Sequence, residues 1–560
     1  MQTFLQAIRA ALAAETGIED PKLETPRNAS MGDVAFPCFV LAKERKAPPP
    51  KIAAELQDAL NARLTDVEAR ATGPYLNFTI DRPALAASVL GEIAERSEGY
   101  GTTSEGDGKT IVVDFSSPNI AKPMSVGHLR STVIGAAIQR LHDALGYRTV
   151  GINHIGDWGS QFGKLVAAVD RYGDTVDLEG DPIQSLLALY VRYHDEEEGD
   201  PTLAEDARAA FRELESGAEG HVRDTWKKLT ELSLVEFDKI YARLGVSFDL
   251  VRGEAFYEPH LDETVDRIVA AGVTEESEGA LVVDLKEFGK IPPCLLRKTD
   301  GTTLYATRDL AAVFHRWEEF GFTRCLYVVG GDQRLHFRQM KHVLERMDVD
   351  WEPRVEHVDF GMMRLPEGKM STRKGRVVFL DDVLDAAAKE AGAVIAEKNP
   401  DLADSAGIAE TVGVGAVVFN DLKRERVKDI DFRLEEILSF EGDTGPYVQY
   451  THARLASIER KAGDVDAAPD WSVLASVAPI LGQLGRYPDA IRSAAEHAEP
   501  SELTNYVLQL AREVNSWVAK ERVLGQEPGV TAARLALVRG ARQVIANALA
   551  ILGVGAPEEM

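Results

Sequence analysis

The segment Ser117-Pro118-Asn119-Ile120-Ala121-Lys122-Pro123-Met124-Ser125-Val126-Gly127-His128-Leu129-Arg130-Ser131 constrains the fold most, because it joins two periodicities. The run Ile111-Val112-Val113-Asp114-Phe115 before it suits a buried strand, and residues 133–145 after it carry the apolar spacing of an amphipathic helix. Gly127 removes a side chain where a flat ring could approach the backbone. His128 stands in the first helical turn, where free N–H groups and the macrodipole favour an anion. The combination is an ATP site in outline. A Gly-His pair by itself is also what a helix cap looks like; the order of the whole segment favours the site.

A chain of 560 residues is expected to hold about three or four domains. The formal charge of −27 excludes a general RNA-coating surface, so any nucleic-acid partner must be held by local basic patches. Cys38, Cys294 and Cys325 are too few and scattered for a disulfide framework or a zinc site, and fit a reducing cytoplasm as core residues. The first segment, Phe4-Leu5, Ile8 and Leu12 followed by Glu15, Glu19 and Asp20, reads as an amphipathic helix and not a signal peptide. No apolar run approaches membrane-spanning length, so no membrane role is expected.

Three shifts in composition divide the chain. The polar, Gly-rich stretch 99–108 reads as a linker that closes an N-terminal α+β module, with a helix after Pro48-Pro49-Pro50 and a strand over residues 75–80. From there to about residue 385, strand-like runs such as 147–152 and 325–329 alternate with helical ones, which predicts a parallel sheet. An acidic helical stretch near 196–237 and a hairpin over 295–305, turning at Asp300-Gly301, interrupt it. Beyond 386 the pattern is helical, with a polar break at 461–469.

A second chemical signal lies at Glu367-Gly368-Lys369-Met370-Ser371-Thr372-Arg373-Lys374-Gly375-Arg376. Such cationic loops next to glycine can fold over a triphosphate and stabilise a departing pyrophosphate, although a solvated basic turn has the same composition. Its order, and its place after the first segment, favour the former.

These two segments resemble the HIGH and KMSKS signatures of class I aminoacyl-tRNA synthetases. Ser-Pro-Asn-Ile-Ala-Lys-Pro before Gly-His-Leu-Arg-Ser is similar to the arginyl-tRNA synthetase version. Ser125 stands where the family has its first motif histidine, and Thr372 where it has its second lysine. The resemblance implies that His128, Lys369, Lys374 and Lys122 stabilise phosphates, and that Ser125, Gly127, His128, Lys369, Met370 and Ser371 bind ATP. ATP would enter with Mg2+, and no permanently bound metal is expected.

A guanidinium is planar and always charged, so a pocket for it needs carboxylates and an aromatic face. Tyr305 and Asp309, four residues apart, share a face if their segment is helical. By residues alone, Asp309 and Glu254 read equally as a helix-start Asp and a surface Glu. By resemblance, Glu254 and Asp309 hold the guanidinium, Tyr305 packs on it, and Asn119 and Gln333 bind the α-amino and carboxylate end. Asp157 and Gln161, in His154-Ile155-Gly156-Asp157-Trp158-Gly159-Ser160-Gln161, are weaker candidates for the same cleft. Tyr447, Tyr450 and Arg454, in a stretch resembling the family's anticodon-binding helices, are candidates for stacking on unpaired tRNA bases. Both tyrosines also have the spacing of core residues.

The expectation is thus a multidomain α/β protein. It comprises a small N-terminal α+β domain (1–105), a Rossmann-like parallel-sheet catalytic domain (106–385, with insertions over about 170–300) and an all-α C-terminal anticodon-binding domain (386–560). The implied enzyme is cytoplasmic and monomeric, and takes L-arginine, ATP and tRNA(Arg). Another nucleotidyl transferase with a HIGH-type site and a non-catalytic tRNA-binding relative are the alternatives.

Overall fold

In the computed structural model, residues 1–26, 28, 31–178, 180, 182–364 and 378–560 are described. The N-terminal module is a three-stranded antiparallel sheet of β1 (Val34–Pro37), β2 (Val67–Thr72) and β3 (Tyr75–Ile80), in the order β1-β3-β2. Helices Gln2–Thr16 and Pro49–Arg63 pack with it, and a third, Arg82–Arg96, packs against the helices of the terminal bundle. Proline opens the second and third, where a missing N–H costs nothing, and Asp81 caps the third.

The central sheet is fully parallel. Its strands β4 (Thr110–Asp114), β5 (Arg148–Asn153), β6 (Leu250–Val251), β10 (Arg324–Tyr327) and β11 (Val355–His357) lie in the order β11-β10-β4-β5-β6. The order reverses beside β4, which makes the carboxyl edge there the crevice where open α/β sheets bind ligands. β4 is buried along Ile111, Val112, Val113 and Asp114, as expected of a strand covered on both faces.

A small antiparallel sheet of β7 (Thr274–Ser277), β8 (Ala280–Val283) and β9 (Cys294–Arg297) flanks it. The expected hairpin over 295–305 is replaced by β9 pairing back to β8. Past the turn only a single bridge, Arg297 to Thr303, remains before a helix begins at Tyr305. The acidic stretch forms three helices, Pro182–Glu197, Pro201–Glu215 and His221–Leu244.

The stretch 99–108 is a packed junction and not a free linker. The Tyr100 hydroxyl donates to the Leu484 carbonyl, its ring stacks on Tyr487, and Thr103 and Gly106 donate to the end of the helix Val126–Ala144. The last helix, Pro528–Leu552, is long and apolar enough to cross a membrane by composition. Here that apolar surface packs against the helices Gly445–Ala462 and Ser501–Lys520, as a core helix of the terminal bundle. Cys38, Cys294 and Cys325 are free and buried.

Candidate active site

The loops after β4, β5, β6 and β10 meet at the carboxyl edge of the sheet around a cavity of about 610 Å³. Asn119, Glu254, Tyr305, Asp309 and Gln333 all line it, from four separate segments. Tyr305 and Asp309 lie on the first turns of the helix Tyr305–Phe320, so the predicted shared face is real. Tyr305 is 55% exposed, leaving its ring free to cover a ligand.

The two carboxylates behave in opposite ways. Burial works against ionising Asp309, yet the His336 hydrogen bond (2.5 Å), with the nearby His154 and Arg316, holds it below the usual carboxylate range. Burial pushes Glu254 up to about 7; Arg308 opposes this, and the neighbouring Asp157, Asp309 and Glu258 reinforce it. The cavity therefore presents one fixed anion and one carboxyl group short of a counter-cation.

Asp157 and Gln161 do not line this cavity. The Asp157 carboxylate accepts from the Ala255 N–H (2.9 Å), bracing the residue after Glu254, and burial pushes it up to about 6. It faces the neighbouring cavity of about 560 Å³, while Gln161 accepts a hydrogen bond from Lys122 (3.3 Å).

Sequence reasoning missed His336, His154 and the buried Arg316. His336 bonds Asp309, and its ring lies 4.7 Å from that of Tyr305, so one residue braces both. Its spacing after Gln333 was the available signal. Arg316 is fully buried, 2.8 Å from Asp114, with its guanidinium over Tyr327. A buried arginine inside an apolar helix pattern gives no such signal.

At the helix Val126–Ala144, Ser125 is the N-cap. Its backbone N–H donates to His128 Nδ1 (3.0 Å), so the neutral ring carries its proton on Nε2, ready to donate. Burial pushes His128 down, which favours that neutral form. Gly127 and Lys122 are exposed beside it. Lys369, Met370, Ser371, Thr372 and Lys374 lie outside the described residues. The chain just after them is pinned to this helix: Val126 donates to the Val378 carbonyl, and Leu380 to that of Met124.

In the helical part, Tyr447, Tyr450 and Arg454 share a cavity of about 530 Å³ with Phe440, Lys398 and Met560. Tyr450 is exposed and Tyr447 half-buried, so neither is a fully buried core residue.

A parallel sheet with its cavity at this switch point, and a His-bearing helix after β4, is the architecture in which class I aminoacyl-tRNA synthetases work, and the comparisons assign the chain to that class. The family model for the catalytic domain of class I (R) tRNA synthetases matches residues 92–434. The arginyl-tRNA synthetase N-terminal domain matches 2–80, and the DALR anticodon-binding domain 448–560. The chain belongs to the arginyl-tRNA synthetase family. It is 44% identical to the arginine–tRNA ligase of Ligilactobacillus salivarius over 99% of both chains. With that of Exiguobacterium sibiricum it shares 46% identity, covering 96% of this chain and 95% of the relative. The arginyl-tRNA synthetase structure of Thermus thermophilus superposes over all of both chains, with a TM-score of 0.84 at 29% identity.

Proposed function

We propose that this enzyme charges tRNA(Arg) with L-arginine in two steps. An oxygen of the arginine carboxylate attacks the α-phosphorus of ATP, which enters as its magnesium complex, and diphosphate leaves. The terminal ribose 2′-hydroxyl of the tRNA then attacks the carbonyl carbon of the arginyl-adenylate, and AMP leaves. Little covalent work falls to side chains, so positioning and charge carry the rate.

The observation that carries this reading is the convergence of Asn119, Glu254, Tyr305, Asp309 and Gln333 on one cavity. In it, Glu254 and Asp309 grip the guanidinium under the Tyr305 ring, and Asn119 and Gln333 hold the α-amino and carboxylate end. His128 donates from Nε2 to the phosphates, with Lys122, Lys369 and Lys374 adding charge. The retained carboxylate pair argues against a non-catalytic relative.

Residues 1–105 meet the body of the tRNA, 106–385 perform the chemistry, and 386–560 read the anticodon loop, with Tyr447, Tyr450 and Arg454 as its contacts. The enzyme works as a monomer in the cytoplasm, where three free, buried thiols are at home. The test is exchange of labelled diphosphate into ATP, with and without total tRNA, and with lysine as the control amino acid. Exchange that depends on arginine is expected; none under any condition, from protein that still binds tRNA, would leave only the non-catalytic reading.

A further inference from the structure

The loop that carries Asn119 is held in an unfavourable backbone. Ser116, Ser117 and Ala121 all have positive φ (74°, 51° and 58°), a region that side chains other than glycine rarely adopt. Such a loop persists only where its surroundings over-determine it. Part of the clamp comes from the sheet. Gly156 accepts from Ile120 (3.1 Å) and donates to the Pro118 carbonyl (3.0 Å). The Asn119 amide sits so tightly on it that a Cβ at Gly156 would lie 2.2 Å from Asn119 Oδ1.

The helix Val126–Ala144 adds two contacts at Ser116, whose N–H donates to Ser131 Oγ (2.9 Å) and whose Oγ lies 2.8 Å from Thr132 Oγ1, and the rest of the clamp comes from a helix of the insertion, His221–Leu244. The fully buried Ser233 accepts the Ala121 N–H (2.9 Å). The buried Tyr241 hydroxyl lies 2.8 Å from Ser116 Oγ and accepts from Asn153 Nδ2 (3.1 Å). Asn153 in turn accepts the Ser117 N–H (3.2 Å). All three left-handed residues are thereby tied, directly or through one amide, to this helix. Trp226, on the same helix, donates to the Asp157 carbonyl (2.9 Å), next to the brace under Glu254. Its carboxyl end is anchored in the helical half: Arg243 pairs with Asp381 (2.5 Å), Asp385 (2.8 Å) and Glu410 (2.9 Å).

We propose that the helix His221–Leu244 is the strut that sets the geometry of the amino-acid site, with Tyr241 and Ser233 as positioning residues for Asn119 and Arg243 as the anchor. The inference rests on the reading of Asn119 as a substrate ligand. No residue of the strut lines the Asn119 cavity; the strut fixes where the loop presents Asn119. A lost strut contact therefore weakens arginine selectively.

The test is calorimetric titration of L-arginine into the full-length protein, with ATP and tRNA affinities measured alongside. Tyr241→Phe keeps the ring and its packing, and is expected to weaken arginine about tenfold, the scale of a lost buried hydrogen bond, with ATP and tRNA unchanged. Ser116→Ala, which removes this contact together with the one to Thr132, should also weaken arginine, and the double variant should lose less than the sum of the two, because they share one contact. Unchanged arginine affinity in Tyr241→Phe, strictly additive losses, or equal weakening of all three ligands would each overturn the strut. Asp309→Ala separates the two readings: arginine affinity that survives it defeats the arginine pocket itself, whereas a loss there beside a normal Tyr241→Phe defeats only the strut.

Discussion

Glu254 sits in the free protein with too little positive charge around it, and in the proposed reading arginine corrects this. Its carboxyl, ordinarily near 4.5, is pushed up to about 7 by burial and by neighbouring carboxylates. In the free fold, ionising it costs stability that declines as pH rises from 4.5 through 7. Binding a guanidinium favours the ionised form and so releases a proton. Arginine affinity should therefore fall as pH drops below about 7, by up to tenfold per unit, and level off above it. A Glu254→Gln variant should bind weakly with that dependence gone; a wild-type Kd flat from about pH 6 to 8 would remove Glu254 from the guanidinium. At this scale helical spacing placed Tyr305 and Asp309 on one face in advance, while Asn119, Glu254 and Gln333 were expected beside them by resemblance alone. Arg316 was not legible, since nothing local marks an arginine that acts on a carboxylate from another segment, and His336 offered only its spacing after Gln333.

The helix Val126–Ala144 presents His128 at one end and carries a buried ion pair one turn in. Arg130 and Asp421 have side chains 1% and 0% exposed, 3.1 Å apart, and Arg130 also donates to the carbonyls of Gly361 and Lys428. One guanidinium thus joins the His128 helix to the start of the helical half. Asp421→Ala leaves that cation buried and unpaired, which should cost about 3–5 kcal/mol in denaturant unfolding. A loss under about 1 kcal/mol would mean that the carbonyls alone satisfy Arg130. Elements with strong periodicity, such as this helix and β4, were readable in advance. The segment 295–305 was not, because a turn sequence fixes the bend but not which strand β9 pairs with.

Across the whole molecule, the two ends of the chain meet. Gln2 donates to Asp489, Arg486 to the Asp33 carbonyl, and Asn547 to the carbonyls of Ser97 and Tyr100, so the N-terminal module docks on the terminal bundle. With a net charge of −27, tRNA must be held by a few local cations against a repelling background. Its affinity should fall at least tenfold between about 50 and 200 mM salt, read by filter binding; a flat response would argue against phosphate contacts.

Periodicity and turn chemistry are local, and so the sequence by itself determined the strand-loop-helix unit at His128, the shared face of Tyr305 and Asp309, and the helical character beyond residue 386. Long-range packing depends on which surfaces are complementary after collapse, and no local pattern encodes that. Only the tertiary structure decided that the Gly-rich stretch at 99–108 is a junction, that Asp157 braces Glu254 from outside the cavity, and that His221–Leu244 clamps the Asn119 loop.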